Sequence, residues 1–286
     1  WTVIIFLLGY TMYWIPFMTW TESGDLAFIP FSDTRILGVL QRIAICYFLG
    51  AVMIYFLNIR QLMIGSGILL VGYWVSMYAF GDYSLEGNFA RIIDRFLLGD
   101  SHLYGGDGIP FDPEGLFSTF PAIVNVIGGY LVGKYVIDGG VNFEKFSKLL
   151  LVGVGLLVLG YLWNLGFPVN KKLWTSSFVI LTVGLDIILL SVLIYSIELV
   201  DKPVNYKFFE IFGKNSLFIY LLSEYLAIGM LFIRVDGDQS LYHYVYVNGF
   251  SWLGSYYGAF IFAFVFMLLC WAAGWWMDKK KIYIKV

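Results

Sequence analysis

The chain has 286 residues, of which 60% are hydrophobic and 13% charged, and its formal net charge is −2. A soluble domain usually carries about 25% charged residues, so this composition excludes a water-soluble globule. The near-neutral charge and the lack of a basic stripe along the sequence exclude nucleic acid as a partner. Cys46 and Cys270 each lie inside an apolar run. A thiol there is most simply a small packing residue, and we expect no metal site.

Eight apolar runs are each long enough to cross the ~30 Å hydrocarbon core of a bilayer as a helix. In chain order they cover approximately residues 1–19, 37–57, 61–80, 116–137, 147–166, 174–199, 212–233 and 252–277. Open sheets leave backbone groups unsatisfied in lipid, so every run is predicted to be helical. We therefore predict an all-α fold, a polytopic transmembrane helix bundle that forms a single transmembrane domain over residues 1–286.

The distribution of lysine and arginine predicts the orientation, because cytoplasmic loops carry an excess of both. Eleven of these residues fall on the side of the C-terminus: Arg60, Lys134, Lys145, Lys148, Lys202, Lys207, Lys214, Lys279, Lys280, Lys281 and Lys285. Six fall on the opposite side: Arg35, Arg91, Arg95, Lys171, Lys172 and Arg234. The C-terminus is therefore expected to be cytoplasmic. The longest loop, residues 81–115, is expected to face outward and to carry function.

Arg42 is the most conspicuous charge within a predicted span. A charge at membrane depth costs ~2.5–3.5 kcal/mol on insertion scales, so it needs a partner or a role. Arg35 lies one heptad earlier on nearly the same helix face, and Gln41 adds a polar neighbour. Three interpretations are open: the two arginines hold an anion, they pair with acidic loop residues, or they lock two helices by an ion pair. Asp186, inside the sixth run, is either a partner of Arg42 or faces a water-filled cavity.

The seventh run begins with Gly213-Lys-Asn-Ser216 and continues with polar residues at helical spacing. Ser216, Tyr220, Ser223 and Glu224 fall on one helix face. In a membrane such a stripe faces the bundle interior or a wet cavity. It either forms hydrogen bonds between helices or lines a substrate path.

The loops predicted to face outward hold six further candidates: His102, Asp112, Glu114, Asn170, Lys171 and Trp174. Asp112 and Glu114 come just before the fourth run, where they either complement the dipole of that helix or bind sugar hydroxyls or an amine. His102 is either a structural hydrogen-bonding group or a ligand contact.

Five segments, taken in order, resemble the heparan-α-glucosaminide N-acetyltransferase family of membrane acyltransferases, including its bacterial relatives. They are RILGVLQR at 35–42, IDRFLLGD at 93–100 with His102-Leu-Tyr104, DPEG at 112–115, PVNKKLW at 168–174 and GKNS at 213–216. Each segment alone is a weak signal, whereas five in order and at matching positions relative to the spans are specific. The resemblance extends over nearly the whole chain.

The resemblance implies transfer of an acetyl group from cytoplasmic acetyl-CoA to an amino sugar or related glycan on the outer side, in a bacterial inner membrane. Lys134, Lys207 and Lys214 are then expected to bind the phosphates of CoA, with Asn215 and Ser216 beside its arm. Eleven residues are expected to bind the acceptor or to line the passage: Arg35, Gln41, Arg42, His102, Asp112, Glu114, Asn170, Lys171, Trp174, Tyr220 and Glu224.

The chain departs from the family at one point. The family's catalytic histidine lies in an outward loop near a Trp-Gly and an Asp-x-Val-Phe-Pro motif, and neither motif occurs in this sequence. The catalytic residue is therefore expected upstream of Trp1, and the complete protein is expected to have about ten spans. A transporter for sugars or related solutes is the competing function, and a structural membrane subunit is a third. Such transporters typically show internal repeats and helix breaks at mid-membrane, which are not evident from the sequence. The acceptor and the existence of a homodimer stay open.

Overall fold

The computed structural model describes residues 1–21, 24–140, 142–200, 206–235 and 239–284, and α-helices dominate these ranges. They are α1 (Thr2–Trp14), α2 (Val39–Phe56), α3 (Ile59–Phe80), α4 (Phe89–Leu98), α5 (Thr119–Ile137), α6 (Phe143–Trp163), α7 (Ser176–Ile194), α8 (Lys207–Lys214), α9 (Ser216–Phe232), α10 (Leu241–Gly249) and α11 (Ser255–Lys279). Two antiparallel hairpins accompany them, β1 (Met18–Trp20) with β2 (Leu26–Phe28) and β3 (Arg234–Val235) with β4 (Gln239–Ser240). The predicted all-α fold is confirmed.

Six helices in the described ranges are long and apolar enough to cross a membrane: α2, α3, α5, α6, α11, and α7 together with the π-helical turn that extends it to Leu199. The bent pair of α8 and α9 forms a seventh if it counts as one span. The predicted transmembrane helix bundle is thus confirmed, with six or seven spans in place of eight. Lys202 and Lys285, used to predict the orientation, lie outside the described residues.

The first apolar run differs from its prediction. α1 has 13 residues, which at 1.5 Å per residue gives about 20 Å, less than the ~30 Å hydrocarbon core. Pro16 follows it closely. Because proline lacks a backbone N–H and clashes with the preceding turn, the helix ends at Trp14. The chain then enters β1 and does not continue as a helix to residue 19.

The seventh run is not one straight helix either. α8 and α9 meet at 82°, and Asn215 between them has non-helical backbone angles, with φ −136° and ψ 39°. The Asn215 side chain is buried. Its amide donates to the carbonyl of Ile282 at 3.1 Å, and its oxygen accepts from the amide of Ile284 at 2.9 Å. Asn215 is thereby held by the segment after α11, which accounts for the break at this position.

The long loop predicted over residues 81–115 contains a helix, α4. Asn88 caps its start by accepting a hydrogen bond from the amide of Arg91 at 2.8 Å, and Ala90 and Asp94 lie on its buried face. This helix was not predicted from the sequence because it is amphipathic and, with ten residues, too short to cross a bilayer.

The chain divides into two compact units, Trp1–Tyr10 with Ser32–Val204, and Thr11–Phe31 with Asn205–Val286. In the first unit α5 packs against α2, α3 and α7, and α6 packs chiefly against α7. Glycines let the α6 and α7 backbones touch: a Cβ on Gly153 would lie 3.0 Å from the carbonyl oxygen of Gly184. The single transmembrane domain stays a prediction.

In the second unit α11 packs against α8 and α9. The Trp271 ring stacks on Phe208 with 5.2 Å between ring centroids, and its Nε1 donates to the Phe208 carbonyl at 3.0 Å. Trp20 of β1 donates to the carbonyl of Phe232 at 3.0 Å and ties the hairpin to the end of α9. Cys46 in the first unit and Cys270 in the second are buried and free, which agrees with a packing role.

Candidate functional site

Arg35, just before α2, is bound by two carboxylates of the long loop. Its Nε and Nη2 donate to the two oxygens of Asp112 at 2.9 and 2.6 Å, and Nη2 also donates to Glu114 at 2.7 Å. The Tyr104 ring covers the guanidinium, with 4.8 Å from Cζ to the ring centroid. Among the three interpretations open for the arginines, the structure therefore shows pairing with acidic loop residues for Arg35. Asp112 is buried, so its carboxylate holds Arg35 and is not exposed to a sugar.

Arg42, on α2, lies deeper in the same unit and is 95% buried. Its Nη2 donates to the carbonyl of Gly115 at 2.9 Å and to the hydroxyl of Ser118, and the Trp174 ring lies 4.8 Å from its Cζ. Nε and Nη1 are buried and have no hydrogen-bond partner among the described residues. Two donor nitrogens of a buried cation are thus unsatisfied within the described ranges. Asp186, considered as a partner, is exposed on α7.

Trp174 is held in place by its loop. Its φ is +51°, a left-handed backbone conformation that is an outlier for a bulky residue and costs strain. Asn170 shapes the turn, since its side-chain oxygen accepts from the amides of Lys172 and Leu173 at 2.9 and 3.3 Å. The indole Nε1 donates to Asn125 on α5 at 3.2 Å. The segment 168–174 therefore presents the Trp174 ring to Arg42, and Asn170 acts through backbone hydrogen bonds.

Asp94 belongs to this site although it was not a candidate. It is 99% buried on α4, and its Oδ1 accepts from the amide of Phe117 at 3.1 Å. A Cβ on Gly115 would collide with its Oδ2, so the turn at Gly115 depends on glycine. Burial raises the pKa of Asp94 to about 6, hydrogen bonds from the amides of Phe117 and Leu116 oppose the rise, and the charge of Asp112 adds to it. In the sequence, Asp94 could have been found from its position four residues after Ala90, which places both on the same face of a short amphipathic helix.

Gln41 and His102 border the site through structural contacts. Gln41 is fully buried, and its Nε2 donates to the Ile36 carbonyl at 3.2 Å, whereas its Oε1 is unpartnered in the described part of the chain. His102 Nδ1 lies 2.7 Å from the carbonyl oxygen of Thr34. This contact supports the structural interpretation of His102. Lys171 is exposed at the edge of its turn.

Four of the five segments that carry the family resemblance meet at this one site in the first unit. Residues 35–42 supply the two arginines, 93–104 supply Asp94 and Tyr104, 112–115 supply the carboxylates and the Gly115 carbonyl, and 168–174 supply Trp174. Segments distant in sequence therefore build a single charged and aromatic cluster.

The fifth segment, 213–216, lies in the second unit. Lys214 donates to Asp278 at 2.9 Å and pairs with Glu210 at 2.9 Å. Ser216, Tyr220 and Ser223 line a pocket of about 460 Å³ between α9 and α11, and apolar residues of both helices complete it. Three members of the predicted polar stripe thus share one pocket, and Glu224 is not part of its lining.

The other two lysines predicted to bind CoA do not line that pocket. Lys134, in the first unit, is exposed and lies 3.9 Å from Asp138, and Lys207, in the second unit, is also exposed. Asn215 is buried and bound to the residues after α11. The continuous passage predicted from the sequence would join residues of both units, and it stays a prediction.

Comparison with known proteins identifies two similar sequences. The chain is 32% identical to human heparan-alpha-glucosaminide N-acetyltransferase over 163 residues, which is 51% of this chain and 24% of that protein. It is 30% identical to the mouse protein of the same name over 159 residues, 49% of this chain and 24% of that protein. No family model matches. The chain spans about a quarter of the length of the curated relatives it matches. These similarities support the family relationship expected from the motifs.

Proposed function

We propose that this chain belongs to a membrane N-acetyltransferase that moves an acetyl group from acetyl-CoA to an amino sugar or related glycan. The names of the two relatives support N-acetyl transfer, and the six or seven apolar helices support a bilayer location. In this proposal acetyl-CoA approaches from the cytoplasmic side, where the C-terminus lies, and the acceptor approaches from the outside of a bacterial inner membrane.

The observation that carries the proposal is the pair of unsatisfied donors on Arg42. Leaving a buried hydrogen-bonding group without a partner costs about 1–3 kcal/mol, and more when the group is charged. An unsatisfied buried donor is most readily tolerated where a bound ligand supplies the missing acceptor. Ser118, the Gly115 carbonyl and the Trp174 ring fix the guanidinium from one side, so its Nε and Nη1 are fixed in direction.

Acetyl transfer needs donors of this kind. The amine nitrogen attacks the thioester carbon, a C–N bond forms, the C–S bond breaks, and the amine proton passes through a base while the thiolate of CoA leaves. The carbonyl oxygen becomes negative in the tetrahedral intermediate, and preorganised donors stabilise it in a site without water. We assign that role to Arg42.

The other candidates divide between the two substrates. Glu114 is paired with Arg35 but keeps 18% of its side chain exposed, and we assign it, together with the exposed Lys171, to the acceptor. The pocket lined by Ser216 and Tyr220 is assigned to the pantetheine arm, and Lys207 and Lys214 of the same unit to the phosphates of CoA. An ammonium has three donors, so Lys214 has one more than its two carboxylate partners use among the described residues.

The test is acetyl transfer from radiolabelled acetyl-CoA to glucosamine by the protein in vesicles. Arg42→Gln should lower kcat by about 10²–10³-fold with a smaller change in KM, because its donors act mainly on the oxyanion. The matched control is Arg95→Gln, which removes an exposed arginine paired with Asp100 and should leave kcat unchanged. An Arg42→Gln protein that folds, as judged by an unaltered thermal midpoint, and keeps a tenth or more of wild-type kcat contradicts the assignment.

One observation favours the competing function of a solute transporter. The sequence showed no helix break, yet α8 and α9 are bent by 82° at Asn215, and broken helices are typical of transporter binding sites. A thermal-shift screen separates the functions: stabilisation by CoA supports the enzyme, stabilisation by free sugar alone supports the transporter, and stabilisation by neither supports a structural subunit.

A further inference from the structure

The first unit carries a groove of about 470 Å³ between the C-terminal half of α5 and the N-terminal half of α6. Its lining is almost entirely aliphatic: Leu131, Val132, Leu149, Leu151 and Val152, with Tyr135 and Lys148 at one end. The groove exists because α5 and α6 each pack against α7 and leave a gap between themselves. Both helices are candidate membrane spans, so the groove lies in the part of the first unit that we expect to be in the bilayer.

Lysines surround the polar end of the groove. Lys148 is in the lining, and Lys145 one turn earlier donates to the carbonyl of Tyr135 at 2.6 Å while lying 4.8 Å from the centroid of its ring. Lys134 completes the group on α5. The two carboxylates nearby are Glu144, 2.6 Å from Lys148, and Asp138, 3.9 Å from Lys134.

The charges at this end leave room for an anion. In the part of the chain that the structure describes, this end has Lys134, Lys145 and Lys148 against Asp138 and Glu144, and both carboxylates are mainly exposed to solvent. Exposed ion pairs contribute only ~0–1 kcal/mol, so they rearrange readily around a stronger acceptor. Each ammonium has three donors. Lys148 uses one on Glu144 and Lys145 uses one on the Tyr135 carbonyl, so the hydrogen bonds of the described residues leave two donors on each for a phosphate.

The groove is large enough for a hydrocarbon chain. Its volume of about 470 Å³ is many times the ~30 Å³ that one water-sized group occupies in a liquid, and a methylene is of similar size. Basic residues beside apolar clefts between membrane helices are a recognised arrangement for anionic lipid headgroups.

We propose that the α5–α6 groove is a binding site for an anionic phospholipid, with one acyl chain between the two helices and the phosphate on Lys145 and Lys148. This site is separate from the Arg42 cluster and independent of the function proposed above. The bound lipid would fill the gap that the protein leaves between α5 and α6.

The experiment measures lipids that stay bound after extraction from vesicles. The full chain is reconstituted in equal amounts of phosphatidylglycerol and phosphatidylcholine, extracted in mild detergent and analysed by native mass spectrometry. Wild type should retain phosphatidylglycerol over phosphatidylcholine by about tenfold. Lys145→Gln/Lys148→Gln should bring the ratio close to one, and Val152→Trp, which fills the groove, should reduce retention of both lipids.

The matched control is Lys279→Gln/Lys280→Gln, which removes the same charge from the end of α11 in the second unit and should keep the wild-type ratio. Equal retention of the two lipids by wild type overturns the proposal. So does an unchanged ratio in the Lys145/Lys148 variant, or an equal loss in the control, because the preference would then reflect overall charge. Retention unaffected by Val152→Trp overturns the acyl-chain part.

Discussion

Replacing Asp94 by asparagine should remove a specific pH dependence from the stability of this protein. In the unfolded chain the pKa of an aspartate is about 3.9, and burial in the fold raises that of Asp94 to about 6. A raised pKa means that the fold prefers the protonated acid. The stabilisation from that preference is complete below pH ~4 and is lost as the pH rises through ~6. The change in pKa corresponds to about 3 kcal/mol between these limits.

The assay is the thermal midpoint in detergent from pH 4 to 8, for wild type and Asp94→Asn. Asparagine keeps the oxygen that accepts from the Phe117 amide, so the main packing is preserved. The quantity that decides is the difference between the two proteins: the midpoint of the variant should rise relative to wild type between pH 4 and 7. Hydrogen bonds lower the pKa values of the exposed residues Asp82 and Asp100. Both residues are present in wild type and variant, so their contribution to the pH dependence cancels in the difference. Parallel pH profiles would refute the reasoning.

Three further substitutions test the architecture around the site. Gly115→Ala should destabilise the protein by about 1–3 kcal/mol because the new Cβ collides with the Asp94 carboxylate. In thermal unfolding, the double variant with Asp94→Ala should lose less stability than the sum of the losses in the two single variants. Arg35→Ala should lower the free energy of unfolding by about 3–5 kcal/mol because it leaves the buried Asp112 carboxylate without its arginine partner. The double variant Arg35→Ala/Asp112→Ala should recover much of that loss, and equal thermal midpoints for the single and double variants would contradict this. Asn215→Ala should speed hydrogen exchange at the Ile284 amide, and an unchanged exchange rate would show that the C-terminal segment is held by other contacts.

The lengths of the apolar runs predicted most of the spans. A helix needs about 20 apolar residues to cross a bilayer, and a run of that length is visible in a single sequence. The same argument failed for the first run, where Pro16 stops α1, and for the seventh, where Asn215 binds backbone groups of residues 282 and 284. Polar bonds to residues almost seventy positions away leave no periodic signal. The helix α4 was missed because its ten residues are too few to cross a bilayer.

The residues of the site were largely predictable, but their roles were not. Arg35, Arg42, Asp112 and Trp174 were singled out as charges or aromatics near membrane depth, and all four lie in one cluster. Which carboxylate binds which arginine depends on the path of the loop over residues 81–115, which no local pattern encodes. Asp94 was overlooked because a single aspartate on a short helix resembles any solvent-exposed residue until its burial is known.

The glycine contact between α6 and α7 has a mechanical consequence for the Arg42 cluster. Gly153 and Gly184 bring the two backbones together with no side chain between them, and Thr175, which caps α7, directly follows Trp174. The Trp174 indole is therefore anchored through the N-terminus of α7 to the closely packed pair of α6 and α7. We expect a ligand that displaces the ring to disturb the Thr175 cap or the packing of these two helices.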